Sequence, residues 1–561
     1  MFKAYANETW SLFLAAMAVA AGGAAILAQG GATPVFTADA VMAHVKILAS
    51  DQFEGRAPGT KGEDLTVAYI ADQFRKVGLK PGAADGTFFQ KVPMVGITPD
   101  PSTSLTFAKG TAKQTLKFTD DIVAWTKRVQ PSVSINASDV VFVGYGVEAP
   151  EYGWDDYKGV DLAGKTMIVL VGDPPVPDPK DPTKLDPKVF GGLAMTYYGR
   201  WTYKYEKGAE RKAAAVVIVH ETEPAGYPFS VVQGKVKEQF DLLTPDQGLG
   251  RAAIEGWITL DQAKALCLLA GQDYAALKKQ ALTREFKPVP LGVTASMTIA
   301  NTIRTIDSRN VVGRIAGSDP ALKDEFVIFT SHWDHFGIGA PVNGDKIYHG
   351  ALDNATGIGG MIEIARAYVT LPVAPKRSLL FLAVTAEEQG LLGSDYYART
   401  PLYPLRNTLA AINMDGLNIY GKTRDLSVVG LGNSDLDDYA RDAAAEQGRH
   451  LVPDPKSENG GYFRSDHFPF ARQGVPAINA GGGEEVIGKP EGWARKAQDA
   501  YTAQHYHKPS DIMRPDWDMG GAVQDLQIYY VMGYRLAQVG TFPEWKPGAE
   551  FKARRDKMMG K

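Results

Sequence analysis

The chain has 561 residues, of which 45% are hydrophobic and 22% charged, with a formal net charge of -4. That length exceeds one ordinary core and calls for two or more domains. The charge balance supplies neither a basic field for nucleic acid nor an acidic tail. Cys267 is the sole cysteine, so an intrachain disulfide and a thiolate metal cluster are both excluded, and any metal site must use His and carboxylates.

In chain order, Lys3 precedes an Ala-rich apolar run from Leu12 to Ala28, followed by Gln29-Gly30-Gly31-Ala32. This pattern reads as a secretory signal over residues 1–30, with an uncleaved membrane anchor as the alternative. Export to the periplasm or medium is therefore expected, with no stable membrane span once the signal is removed. Thr60 and Glu63 have capping-box spacing ahead of Leu65, Tyr69, Phe74 and Val77, and Gly78 supplies a stop, which predicts a helix.

From about residue 137 short β-rich runs appear: Asp139–Val143, Thr166–Val171 and Ala215–Val219. A Pro/Asp-rich loop and a helical stretch near 201–211 separate the last two. The stretch 137–290 can form its own small domain. A second regime begins near residue 310. Phe326–Thr330, Leu379–Val384 and Leu409–Asn413 are continuous apolar runs, as expected of strands buried on both faces. Helical patterns at 358–368 and 436–446 fill the intervals. The alternation predicts an α/β three-layer sandwich with a mostly parallel sheet.

Ligands of such sheets gather beyond the carboxyl ends of the strands. Here the first run leads into Ser331-His332-Trp333-Asp334-His335, the second into Thr385-Ala386-Glu387-Glu388, and the third into Asn413-Met414-Asp415. Each fragment alone has a bland reading as a loop, a helix start or a cap. Together they deliver costly buried charge to one edge, which asks for a cation. Imidazole with carboxylate suits zinc.

With these motifs in view, the chain resembles the M28 family of metallopeptidases, specifically exported bacterial aminopeptidases with an inserted protease-associated (PA) domain. The resemblance is carried by Leu48–Gly59, by Gly144-Tyr-Gly-Val147 with Glu151–Tyr157, by Ser331–Gly337 and by Gly350–Gly357. Glu387-Glu388, Asn413–Asp415, Arg464–Phe470 and Tyr506-His507 complete it. It implies a zinc-exopeptidase-like fold with 35–136 and 291–545 forming the peptidase domain, 137–290 a PA-like insertion and 546–561 a tail.

The resemblance also implies two divalent ions, zinc first among the candidates. His332 and Asp415 would hold one, Glu388 and His507 the other, and Asp353 would bridge them. Glu387 would act as general base, Tyr506 would stabilise the developing oxyanion, Asp334 would orient His332, and Asp466 would support the site by hydrogen bonds. Peptides with a free N-terminus are the implied substrates. The stretch Gly337–Tyr348 departs from the pattern as a long loop.

Two segments, Gly159–Thr166 and Gly416–Thr423, match the nucleotide-binding pattern G-x-x-x-x-G-K-T. That pattern needs a helix after it, and both lead into strand-like runs, so no nucleotide is expected. Two further readings are a single-zinc glutaminyl cyclase-like enzyme, which shares this fold, and a non-enzymatic binding protein that has lost ligands. The inserted segment and the full ligand set argue against the first, and the five occupied ligand positions against the second.

Overall fold

A computed structural model describes residues 34–100, 102–234 and 237–561; the expected signal over 1–30 lies outside them. The chain forms two compact units. One comprises the described residues up to Lys91 with Arg309–Asp454 and Ser465–Lys561; the other comprises Val92–Ser308 with Pro455–Arg464.

The first unit is a three-layer α/β sandwich. Its centre is formed by β1 (Phe326–His332), β2 (Ser378–Val384), β3 (Thr408–Asn413) and β4 (Ala477–Gly481). They run parallel in the order β2-β1-β3-β4. Residues 311–315 pair antiparallel with β2 on one side, and Asp425–Val429 antiparallel with β4 on the other. Every residue of β1, β2 and β3 is buried, which is why their sequences are continuous rather than alternating apolar runs.

Odd positions such as Val327, Phe329 and Phe381 join a core with the helices Ala38–Leu48, Lys61–Val77, α1 (Thr356–Val369) and α2 (Gly520–Gln538). The helices Leu392–Arg399 and His467–Arg472 pack together, the latter on β3 and β4, with the rings of Tyr397 and Phe470 5.9 Å apart. Gly533 permits the close approach of α2, since a Cβ there would lie 2.3 Å from Phe329. Register fixes the functional edge: His332 pairs with Val384, Thr330 with Asn413, and Asn413 with Asn479. The carboxyl ends therefore coincide.

The predicted helix after Thr60 spans Lys61–Val77, with Gly78 left-handed at φ 100°. The Thr60 side chain does not cap it. Glu63 accepts from the Gly59 amide, whereas the Thr60 hydroxyl donates to the Ala57 carbonyl.

The second unit has its own sheet, in which Ser132–Phe142, Thr166–Leu170, Ala215–His220 and Ile254–Thr259 run parallel. It is wider than 137–290, because Ser104–Lys109, Ala112–Lys117 and Ile122–Trp125 pair into the same sheet. Residues 289–300 pair antiparallel with Ser132–Phe142. Cys267 is buried there, and burial pushes its thiol up to about 11. Both Gly-x-x-x-x-Gly-Lys-Thr segments lead into strands, Thr166–Leu170 and Asp425–Val429.

Two segments differ from expectation. Gly337–Tyr348 is a hairpin rather than a loop, with Gly337–Val342 paired to Asp345–Tyr348 across Asn343 and Gly344, both at positive φ. Such Asn-Gly turns match the twist of two antiparallel strands. The expected tail contains the helix Lys552–Met559, whose buried Arg555 donates to the carbonyls of Leu405 and Thr408. Among the described residues no helix is long and apolar enough to cross a membrane.

Arg555 anchors that last helix through backbone acceptors that lose their donor if it is removed. Arg555→Met should therefore lower stability by about 1–3 kcal/mol, measured as a drop in Tm with little change in far-ultraviolet circular dichroism.

Candidate metal centre

The strand ends and two loops converge in the first unit. His332 terminates β1, and its Nε2 lies 3.2 Å from Asp353 Oδ1 and 3.2 Å from Asp415 Oδ1. Asp415 follows β3 by two residues. His507, in the stretch after the helix Trp493–Gln504, has its Nε2 3.4 Å from Asp353 Oδ2 and 3.2 Å from Glu388 Oε2. Asp353 thus turns one carboxylate oxygen to each imidazole–carboxylate pair. Two groups of side chains have ligand atoms close enough to hold an ion: His332, Asp353 and Asp415, and also His335, Asp353 and Glu388. Asp353 belongs to both.

A carboxylate so placed needs a stiff backbone. The Asp511 carboxylate accepts from the amides of Leu352 and Asp353 at 3.2 and 3.1 Å. Asn354, fully buried, donates to Ser331 Oγ and the Met414 carbonyl and accepts from the amides of Gly357 and Gly416. One side chain thereby ties together the segments that carry His332, Asp353 and Asp415. Gly357 cannot be larger, because a Cβ would lie 2.3 Å from Asn354 Oδ1.

Arg56 braces the same edge from behind. Buried to 1% exposure, it donates to the carbonyls of Leu48, Trp333, His349 and Gly350 at 2.6–2.8 Å. Burial lowers its pKa to about 10, opposed by Asp511, Asp334, Asp353 and Glu388.

Orientation of the individual groups follows. His332 Nδ1 donates to the backbone carbonyl of Asp334 at 3.2 Å, which turns Nε2 towards the acids. The Asp334 carboxylate sits 3.7 Å from Nδ1 and instead accepts from the amides of Glu387 and Glu388, at 3.0 and 3.4 Å. Ser465 Oγ donates to Asp415 Oδ2 at 2.5 Å and accepts from Asn413 at 2.7 Å. Asp466 accepts from Ser394 Oγ, while its other oxygen is buried with no hydrogen-bond partner among the described residues. The Tyr506 ring stacks on His507, with centroids 3.7 Å apart.

Electrostatically the site is divided. Burial, reinforced by Asp415, Glu388 and Asp466 against the pull of His332, raises the Glu387 carboxyl well above the ordinary range. Burial pushes Asp334 and Asp466 up to about 7. Asp353 is held well below the carboxylate range, because its bonds to His332 and His507 outweigh burial. Burial works against His507, yet Glu388 and Asp353 raise it to about 9.

The structure brings every residue expected from sequence to this edge. It adds Arg56, His335, Asn354, Ser465 and Asp511. Asn354, Ser465 and His335 lay inside motifs already singled out, and Arg56 lay in the leading Leu48–Gly59 segment. No sequence signal marks Asp511.

Residues 310–531 match the profile of peptidase family M28. The matched stretch is similar to that family and carries His332, Asp353, Glu387, Glu388, Asp415 and His507. Aminopeptidase NAALADL1 of Mus musculus is 31% identical over 170 residues, 28% of this chain and 21% of that protein, so the match spans about a fifth of the relative's length. A probable leucine aminopeptidase 2 of Aspergillus oryzae is 24% identical over 481 residues, covering 82% of this chain and 75% of that protein. Aminopeptidase YwaD of Bacillus subtilis is 26% identical over 315 residues, 55% and 57% of the two chains. Among solved structures, an aminopeptidase from Aneurinibacillus sp. strain AM-1 shares the fold with a TM-score of 0.50 at 20% identity, over 90% of this chain and 95% of that one.

Asp415 accepts from the Ser465 hydroxyl on the oxygen that His332 does not face. Ser465→Ala should weaken divalent-cation binding by about 10–100-fold, read by competition with a chromogenic chelator.

Proposed function

We propose that this chain is an exported metallo-aminopeptidase that hydrolyses N-terminal peptide bonds at a dinuclear, zinc-type centre. The observation that carries the reading is Asp353, whose two oxygens face two separate imidazole–carboxylate pairs. A single cation would leave one pair unbalanced, while two cations held together need a shared anion between them. The donor set is imidazole and carboxylate throughout, which fits zinc. His332 and Asp415 would hold one ion, His507 and Glu388 the other, and Asp353 both. When bound, such ions lower the pKa of water and polarise the scissile carbonyl.

The remaining chemistry falls to the chain's own residues. Glu387 combines a backbone pinned by Asp334 with a side chain in a pocket that favours protonation. The raised proton affinity favours taking a proton from water, which Glu387 would pass to the leaving amine, a role worth about 10²–10⁴-fold. The neighbouring Glu388 keeps a low proton affinity beside His507 and His335, as a ligand requires. Tyr506, packed on His507, would direct its hydroxyl to the developing oxyanion. Related proteins named as aminopeptidases support peptides with a free N-terminus as substrates.

Glu387→Gln removes the proton shuttle and no proposed ligand. It should retain zinc at the wild-type stoichiometry and lose about 10²–10⁴-fold in kcat; near-normal turnover would place the base elsewhere. Substrate class is tested with matched free and N-acetylated peptides, including one that begins with Gln. Cleavage of the free peptides alone, abolished by a chelator and restored by added zinc, is the expected result. Equal cleavage of acetylated peptides would rule out aminopeptidase action, and cyclisation of the Gln peptide without cleavage would favour the cyclase reading.

A further inference from the structure

Glu388 is held from two sides. Its Oε1 accepts from His335 Nδ1 at 2.6 Å, and its Oε2 lies 3.2 Å from His507 Nε2. An ionised carboxylate only accepts, so the short contact assigns the His335 proton to Nδ1. The imidazole has little freedom to move. It is 0% exposed, and its ring meets that of Phe336 edge-on at 5.0 Å. Its Cγ is so near the backbone that a Cβ on Gly350 would approach to 2.6 Å. The His335 amide donates to the Arg56 carbonyl at 3.4 Å. Its Nε2 has no hydrogen-bond partner among the described residues, so the bond to Glu388 is the ring's one directional polar contact.

We propose that His335 is a positioning residue that occupies Glu388 Oε1 and thereby presents Oε2 alone to the cation shared with His507 and Asp353. The inference rests on the dinuclear reading above and deepens it. A carboxylate free to turn can chelate one ion through both oxygens and fill a coordination position. A catalytic ion must keep such a position open for water or substrate. An oxygen tied up at 2.6 Å by a buried, immobile N–H is withheld from that role. Histidine ligands are commonly oriented by a carboxylate behind them; here a buried histidine stands behind a carboxylate.

The test compares the wild type with His335→Leu, which deletes the donor, and His335→Asn, whose amide nitrogen falls near the position of Nδ1. Zinc binding is measured by chelator competition, and the coordination number by the visible absorption of the cobalt(II)-loaded protein. In His335→Leu both ions should still bind, one of them about 10–100-fold more weakly. Its cobalt bands should lose intensity as a second carboxylate oxygen enters. His335→Asn should recover most of the affinity and the wild-type spectrum. Unchanged affinity and spectrum in His335→Leu would overturn the proposal.

Outright loss of one ion would also overturn it, because His335 would then be a ligand. A measurement on the wild type guards against a folding defect in the variants: with ¹¹³Cd and ¹⁵N-histidine, two imidazoles should show metal–nitrogen coupling, and three would overturn the proposal. A wild-type chain that binds no divalent ion would instead sink the dinuclear reading, and this inference with it.

Discussion

The constraint on which the rest depends is the mutual repulsion of carboxylates that the fold forces together out of water. Asp353, Glu387, Glu388, Asp415, Asp466 and Asp511 all gather at one sheet edge, where Asp353, Asp466 and Asp511 are buried and the other three partly so. Isolated buried anions are too costly to keep ionised. The protein answers with two kinds of compensation. Imidazoles face the acids that are held ionised, as His332 and His507 face Asp353. The unpaired acids, Glu387 above all, are pushed towards the protonated form. Arg56 adds a fixed positive charge behind the cluster while spending its hydrogen bonds on backbone carbonyls.

The scaffold makes the arrangement reproducible. Parallel strands buried on both faces cannot slide without exposing apolar side chains, so the register of β1, β2 and β3 is tightly specified. Their ends then bring His332, the Glu387-Glu388 turn and Asp415 to fixed separations. What the sheet leaves loose is tightened by side chains that bind backbone. Asn354 ties three segments, Asp511 holds the amides of Leu352 and Asp353, and Asp334 holds those of both glutamates. A site of this kind is positioned chiefly by groups that never reach the reacting atoms.

How much of this was legible in sequence follows from where each signal resides. The strands were readable because burial on both faces imposes a local composition, and the acids stood out because charge directly after such a run is costly. The hairpin at 337–348 was also encoded locally, in Asn343-Gly344, although its exposed strands lack the alternation that marks a half-buried pair. The helix at 552–559 was harder, because its anchor is one arginine reaching carbonyls some 150 residues earlier in the chain. The start of the second unit at Val92 was hidden similarly, since the local hairpin of Ser104–Lys109 with Ala112–Lys117 and the strand Ile122–Trp125 are tied into its sheet by partners near 295 and 256. Asp511 had no signal at all. Its role comes from amides it meets about 160 residues away, and no spacing rule reports that.

Two consecutive glutamates show how finely environment divides identical chemistry. Glu387 and Glu388 leave the same strand, and both amides are bound by the same Asp334 carboxylate. Their proton affinities nevertheless move in opposite directions. Glu388 meets His507 and His335, which stabilise its anion against burial. Glu387 is raised by burial and by Asp415, Glu388 and Asp466, with His332 opposing them. Alternate side-chain directions after the strand end suffice to create the difference, because one residue's turn carries a carboxylate from an imidazole-lined wall to an acid-lined one. The contrast therefore belongs to the fold. Exchanging the two side chains' surroundings, rather than the side chains, is what would exchange their roles.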